Sequence, residues 1–575
     1  MSIERAGCLK PEVSRRAQID ASAERPIFGF LRFSAKEDFS DSRASAEFLR
    51  CEFHKHQGWI PMRWLCTFAM ASLMSYLALV PASSMAIAFA QLESTPHPGT
   101  RSGRSMPIEL IAAGARRQME QHLSRRLYEA ANGRTWFDER QGPINVTVKF
   151  DDAGQLLVDL GPGLGELSNT AEMEDLESWL INAADLEVAD RFTHRGIVFR
   201  FDGKDMYFYH PEERPPPPRR SASLNGVPRI VLSPGHGYYR LYGKKDNYSW
   251  VFQRSEQHGV QEDVITMEYA ELLQEEMRQR IWGAVPVLAR FDASYTHAET
   301  KQPWRHISAR YYLAWQYPKN PEIWHSLPDD KTQGRERLED IRSRPFFANH
   351  VDAAAAVHLH TNAEPSGTVR GTRVYYHRGS PESKKLADRL LCGMKEIVRS
   401  LPRYEDFPMD EEARNDGNYG ENRLAAMPSA LVELAFHSNK GDAAALLDDD
   451  FKKAVVSGLT KGFKLYREGA ECEPFMVELG EGYGYTNHIG TVTLSFKGYP
   501  RTPVDFHFEE FDCGPLATEC INQYGSRYSV SSPMYYPLRC PNRPGPHKYR
   551  LTMTDADGVI SNAAEGEINC KFVDW

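Results

Sequence analysis

The stretch RIVLSPGHG, residues 229–237, decides how the rest of the chain is read. Ile230, Val231 and Leu232 form a short apolar run. Ser233, Pro234 and Gly235 then break it, the pattern of a buried strand cut off by a turn. His236 follows between two glycines. A histidine on a glycine turn past a strand is held by rigid backbone and left uncrowded, which suits a metal ligand or a catalytic group. An ordinary turn histidine has the same local sequence. Two later stretches bear on that choice: HLHTNA at 358–363 and PSALVELAFHSN at 428–439.

Working outward, strands and helices alternate from residue 228. RIVL is a strand and 262–281 a helix with Ile265, Tyr269, Leu272, Leu273 and Met277 on one face. VPVLA (285–289), 353–359, TRVYYH (372–377) and SALVELAF (429–436) read as strands. Helices are expected at 383–398 and, as one long element, at 442–466. Such alternation predicts an α/β domain at 228–467 with a mostly parallel sheet flanked by helices. Its site should lie beyond the carboxyl ends of the strands. Residues 293–343, irregular, aromatic and charged, read as an insertion.

Two smaller domains flank this one. Residues 106–210 read as a small α+β domain with a helix at 107–133 and another at 173–184. Two hairpins are expected there, INVTVKF with LLVDL and GIVFRF with MYFYH. No catalytic constellation appears in it, so a scaffold role and a binding role stand level. Residues 211–227, with four prolines at 215–218, form an extended linker. Residues 472–575 alternate in strand fashion and read as a small cysteine-containing β-sandwich, loosely immunoglobulin-like.

The amino end differs. Residues 1–61 are polar and read as a non-native or disordered extension. Residues 62–90 carry a basic residue, an apolar run and Ala88-Phe89-Ala90 before Gln91, a secretory signal pattern that makes Met62 the expected start. The alternative is a membrane anchor at 64–90. Residues 91–105 form a linker. Behind a signal peptide, six of the nine cysteines (392, 472, 513, 520, 540 and 570) point to disulfides of unreadable connectivity. Cys8, Cys51 and Cys66 fall in the part expected to be lost. The net charge of −9 argues against a nucleic-acid partner.

His236, Glu262 and His360 each lie at an element end. Two imidazoles and a carboxylate are the ligand set of a catalytic zinc with one position left for water. Glu433 sits in an apolar strand, where a carboxylate is costly unless paired or functional. Taken singly, each has an ordinary structural alternative: helix-start carboxylate for Glu262, buried hydrogen-bonded group for Glu433. Their wide separation in sequence gives no reason to pair them.

The order of motifs does. PGHG at 234–237, the Glu opening EDVITMEYA, Arg290 with Asp292, Arg344 with Ala348 and Asn349, HLHTNA, and PSALVELAFHSN together resemble the catalytic domain of zinc-dependent N-acetylmuramoyl-L-alanine amidases, the type 3 family. The resemblance covers 228–467 only. It implies that His236, Glu262 and His360 bind one Zn2+ and that Glu433 is the catalytic acid/base. Arg290, Arg344, Asn362, His358 and Ser233 would then serve the surroundings or the substrate. It implies a hydrolase cleaving the amide between N-acetylmuramic acid and L-alanine in peptidoglycan, and the signal pattern at 62–90 makes it a secreted or periplasmic one. The alternatives are a catalytically impaired peptidoglycan- or glycan-binding module and a secreted zinc amidase or peptidase with another substrate. Ser233 replaces the family's usual Asp, Tyr238-Tyr239-Arg240 replaces a Gly- and Asp-rich loop, and His358 replaces a Ser two before the ligand position.

Overall fold

The computed structural model describes residues 106–572, except 108–110, 138–141, 168, 189–191, 220–226, 244, 246 and 514–519. The expected extension, leader or anchor and linker of residues 1–105 lie outside the described residues, as do Cys8, Cys51 and Cys66.

At the centre is a five-stranded sheet in the order Arg373–Tyr375, Ser429–Phe436, Ala355–Asn362, Arg229–Pro234, Val285–Leu288. The last four run parallel to their neighbours. Every residue of Ala355–Asn362 and Ser429–Phe436 is buried, as strands covered on both faces must be. Alternation along Arg229–Pro234 sends Ile230 and Leu232 into one core and Val231 into another. Strand Arg373–Tyr375 runs antiparallel to Ser429–Phe436. The sheet is therefore mixed, which corrects the mostly parallel sheet expected. The link from Asn362 to Arg373 holds no crossover helix, so the chain can only return in the opposite direction.

Helices Glu262–Arg280, Pro381–Arg399 and Asp449–Glu468 cover one face. The last two meet closely at Gly393 and Gly458: a Cβ on Gly393 would sit 2.2 Å from the Gly458 carbonyl oxygen. The single helix expected at 442–466 is two, Lys440–Leu447 and Asp449–Glu468. Asp448 divides them, its carboxylate accepting from the N–H groups of Asp450 and Phe451 as an N-cap. Residues 293–343 are not irregular throughout. They include helices Ala309–Gln316 and Pro321–Trp324 and open Arg335–His350, with Leu313 and Ile323 buried against the second face.

Ahead of this lies a three-stranded sheet, Asn145–Phe150, Leu156–Gly161 and Ile197–Phe201, with helices Ala113–Asn132 and Thr170–Val188. The first hairpin forms as expected. The second does not: Met206–Tyr209 is a short helix capped by the Asp205 carboxylate, and Ile197–Phe201 pairs in parallel with Leu156–Gly161. The proline-rich segment is also no free spacer, because Glu213 is buried between Arg342 and Arg423.

Seven strands between Met476 and Lys571 form the last sheet. Phe506, in the strand next to one end of its order, and Tyr536, in the strand at the other end, stack 4.7 Å apart, so the sheet curls around one core. Disulfides join Cys392 to Cys472, Cys513 to Cys520 and Cys540 to Cys570. Among the described residues no helix is long and apolar enough to cross a membrane.

Candidate metal centre

Three side chains from three elements converge beyond the carboxyl ends of the parallel strands. His236 sits on the turn after Arg229–Pro234 with a φ of 60°, a left-handed conformation costly for a histidine. Gly235 before it is obligatory, since a Cβ there would lie 2.4 Å from the His360 ring. Glu262 opens its helix, and His360 lies near the end of strand Ala355–Asn362. His360 Nδ1, His236 Nε2 and Glu262 Oε1 form a triangle with every side 3.2 Å. All three residues are buried.

The triangle fits a metal ion. Tetrahedral zinc with bonds of about 2.0–2.1 Å needs ligand atoms about 3.3–3.4 Å apart. The outer nitrogens of both rings are also spoken for. His360 Nε2 lies 2.9 Å from Glu421 Oε2, and His236 Nδ1 lies 3.1 Å from Gln253 Oε1. Both acceptors leave the inner nitrogens as the ones aimed at the shared point. These supports meet again behind the site: Gln253 Nε2 donates to Asp340 Oδ2 at 2.9 Å, and Arg344 bridges that same oxygen to Glu421. One buried carboxylate thus orients both imidazoles.

The electrostatics match this arrangement. Burial pushes the Glu262 carboxyl up, but His236 and His360 outweigh it and hold the group well below the usual range. Burial lowers His236, whereas at His360 the opposing Glu421 and Glu262 win and push the ring up to about 10. That ring proton is what a cation at the triangle would displace.

Glu433 is brought alongside by register: strands Ala355–Asn362 and Ser429–Phe436 pair His360 with Glu433. Its Oε2 is buried with no hydrogen-bond partner among the described residues, and burial, with Glu262 and Glu421 nearby, pushes its carboxyl up to about 8.

The other expected residues have structural surroundings. Arg290, buried, donates to the carbonyls of Gly235, Asp263 and Ile307, and so holds the His236 turn. Arg344 ties Glu421 to Asp340. Asn362 accepts from Asn182 at 3.1 Å. His358 stands apart from the triangle, 3.1 Å from Ser429 Oγ, with burial lowering it to about 4. Ser233 is buried, its Oγ without a partner among the described residues. The loop after His236 forms a hairpin, Tyr239–Tyr242 with Tyr248–Val251. Its return delivers Gln253, whose N–H, with those of Gly237 and Arg254, donates to Asp263.

Sequence reasoning missed Glu421, Gln253, Asp263 and Asp340. It also missed a whole wall. A cavity of about 330 Å³ opens over the triangle, lined by His236, Glu262, His360 and Glu433 and also by Arg134, Glu174, Asp175, Ser178 and Trp179. Helix Thr170–Val188 lies along this side. Asp175 pairs with Arg254 and Arg337, Glu174 with Arg423, and Asp185 with Arg373 and Arg414. Acidic residues on a helix read as a solvated face; nothing local signals that arginines far along the chain meet them.

The sequence profile described as N-acetylmuramoyl-L-alanine amidase matches residues 230–464. A germination-specific N-acetylmuramoyl-L-alanine amidase of Bacillus subtilis (strain 168) is 30% identical over 142 residues, 24% of this chain and 56% of that protein. The chain thus spans about half the length of this curated relative. Among solved structures, the catalytic domain of CwlV from Bacillus (Paenibacillus) polymyxa var. colistinus is 20% identical, with 42% of this chain and 98% of that one covered and a TM-score of 0.28. The CwlD amidase from Clostridioides difficile is 19% identical, with 42% and 99% covered and a TM-score of 0.28. With the motifs in order, the segment matched by the N-acetylmuramoyl-L-alanine amidase family, residues 230–464, contains His236, Glu262, His360 and Glu433.

Proposed function

We propose that this protein is a secreted, zinc-dependent hydrolase that cleaves the amide joining N-acetylmuramic acid to L-alanine in peptidoglycan. The observation that carries the reading is the buried 3.2 Å triangle of His236, Glu262 and His360 with Glu433 beside it, its Oε2 without a partner among the described residues. Three disulfides support an oxidising compartment.

In this reading His236 and His360 supply neutral nitrogens and Glu262 a carboxylate to one zinc ion. A bound zinc supplies Lewis acidity, for activating water and for charge developing on the carbonyl oxygen. Glu433 holds and moves the proton. Its Oε2, free of other bonds, takes a proton from the attacking water and returns it to the departing amide nitrogen. A nearby cation favours the ionised form of a carboxyl, which draws Glu433 down from about 8 toward working pH. Glu421 and Gln253 keep both rings aimed, and Arg290 keeps the His236 turn in place.

The test is incubation of the protein with purified cell-wall sacculi, with and without chelator, and mass identification of the products. Release of free stem peptides and intact glycan, lost on chelation and restored by zinc, is expected. Cell-wall binding without any released amine would replace this reading with that of a binding module.

A further inference from the structure

The cavity over the triangle is built from two parts of the chain, and one cation on its wall has no assigned work. Among the described residues two guanidinium groups line it, Arg134 and Arg254. Arg254 is committed: it donates twice to Asp175 and faces Glu262 Oε2 at 3.6 Å. Among the described residues Arg134 makes no hydrogen bond and no ion pair. Its guanidinium instead lies 3.9 Å from the ring centroid of Trp136 and 5.2 Å from that of Trp179. The two indoles meet edge to face at 6.1 Å, and both are anchored, Trp136 Nε1 donating to Ala131 and Trp179 Nε1 to Ala130. The result is a flat cation held on a rigid aromatic base, with its donors free for a planar anion.

The described carboxylates around it are already engaged. Asp175 is shared by Arg254 and Arg337, and Glu172 Oε2 accepts the Phe137 N–H. Elsewhere on the wall, Glu421 is tied to Arg344 and His360, and Glu174 to Arg423. Among the described residues no carboxylate is left over for Arg134, and one that enters the cavity can fill that place. Resting on the amidase reading above, we propose that Arg134 is a specificity-determining residue that receives a free carboxylate of the substrate's peptide portion, so that the amino-terminal domain selects anionic peptides for the catalytic domain. A peptide stem carries such carboxylates near the scissile bond, whereas the neutral sugars offer none.

The experiment compares muropeptides whose peptide carboxylates are free with the same compounds amidated. In the wild type, kcat/KM should favour the free-acid form by about tenfold or more, the scale of one charge-assisted pair. Arg134→Gln should erase the preference through KM, and Arg134→Lys should keep part of it. An unchanged preference in Arg134→Gln, or none in the wild type, overturns the proposal. Calorimetric binding of both forms to the same proteins keeps the test decisive without turnover. Equal affinity for both forms overturns the role of Arg134, whereas carboxylate-dependent binding lost in Arg134→Gln, with no cleavage, supports it and overturns the hydrolase reading alone.

Discussion

His360 Nε2 lies 2.9 Å from Glu421 Oε2, with both side chains buried. Glu421 is held ionised: burial opposes its charge, but His360 and Arg344 outweigh that and keep its carboxyl well below the usual range. A carboxylate can only accept, so Nε2 keeps its proton, and Nδ1, facing His236 and Glu262, is the nitrogen whose proton a cation would displace. Glu421→Gln keeps the shape but gives up the charge. Metal affinity should fall about 10- to 100-fold. Competition against a zinc indicator reads the change, and undiminished affinity would remove Glu421 from the metal's support.

Glu433→Gln should leave metal content intact and cut kcat by about 10²- to 10⁴-fold, the range expected when a proton-transfer group is lost. Steady-state kinetics on muropeptides with elemental analysis of the same sample checks both halves. Normal turnover would reassign the proton transfer to another residue.

His236→Ala removes one corner of the triangle and should abolish stoichiometric zinc. In the wild type, zinc should raise the melting temperature. At free zinc about 1,000-fold above Kd the linkage amounts to about 4 kcal/mol. Calorimetric melts of both proteins with and without chelator test this; a zinc-dependent shift that survives in His236→Ala would place the ion elsewhere.

Asp185 joins helix Thr170–Val188 to Arg373 and Arg414, with side-chain exposures of 11%, 7% and 10%. Asp185→Ala leaves two buried guanidinium groups short of a partner and should destabilise the fold by about 3–5 kcal/mol. Urea denaturation measures it, and a loss under about 1 kcal/mol would mean that the pairs behave as surface ones.

Glu177 is buried with an Oε2 lacking a partner among the described residues, and burial raises its carboxyl from 4.5 to about 8. Between those values the folded chain holds a proton that the unfolded chain has released. Stability therefore falls as pH rises from 4.5 to about 8 and levels off above. Glu174, raised by burial to about 7, acts in the same direction. Glu177→Gln should flatten the decline. Urea midpoints across this range check it, and parallel curves for variant and wild type would assign the decline elsewhere.

The strands at 230–232, 355–362 and 429–436 were legible as apolar runs broken by Gly, Pro and polar residues, because burial and backbone freedom leave marks on neighbouring residues. The ligand candidates were legible for the same reason, as polar residues at the ends of such runs, although only the resemblance joined them. The direction of Arg373–Tyr375, the break at Asp448 and the helix at Met206–Tyr209 were not, since each turns on a return path or one capping carboxylate. Nor was the support of the rings by Glu421, Gln253 and Asp340, or the wall formed by helix Thr170–Val188. Ion pairs such as Asp175 with Arg254 and Glu174 with Arg423 join residues far apart in the chain, and charge pairing has no sequence period. Local pattern records which residues leave water, and only the folded chain brings distant charges within a few ångströms.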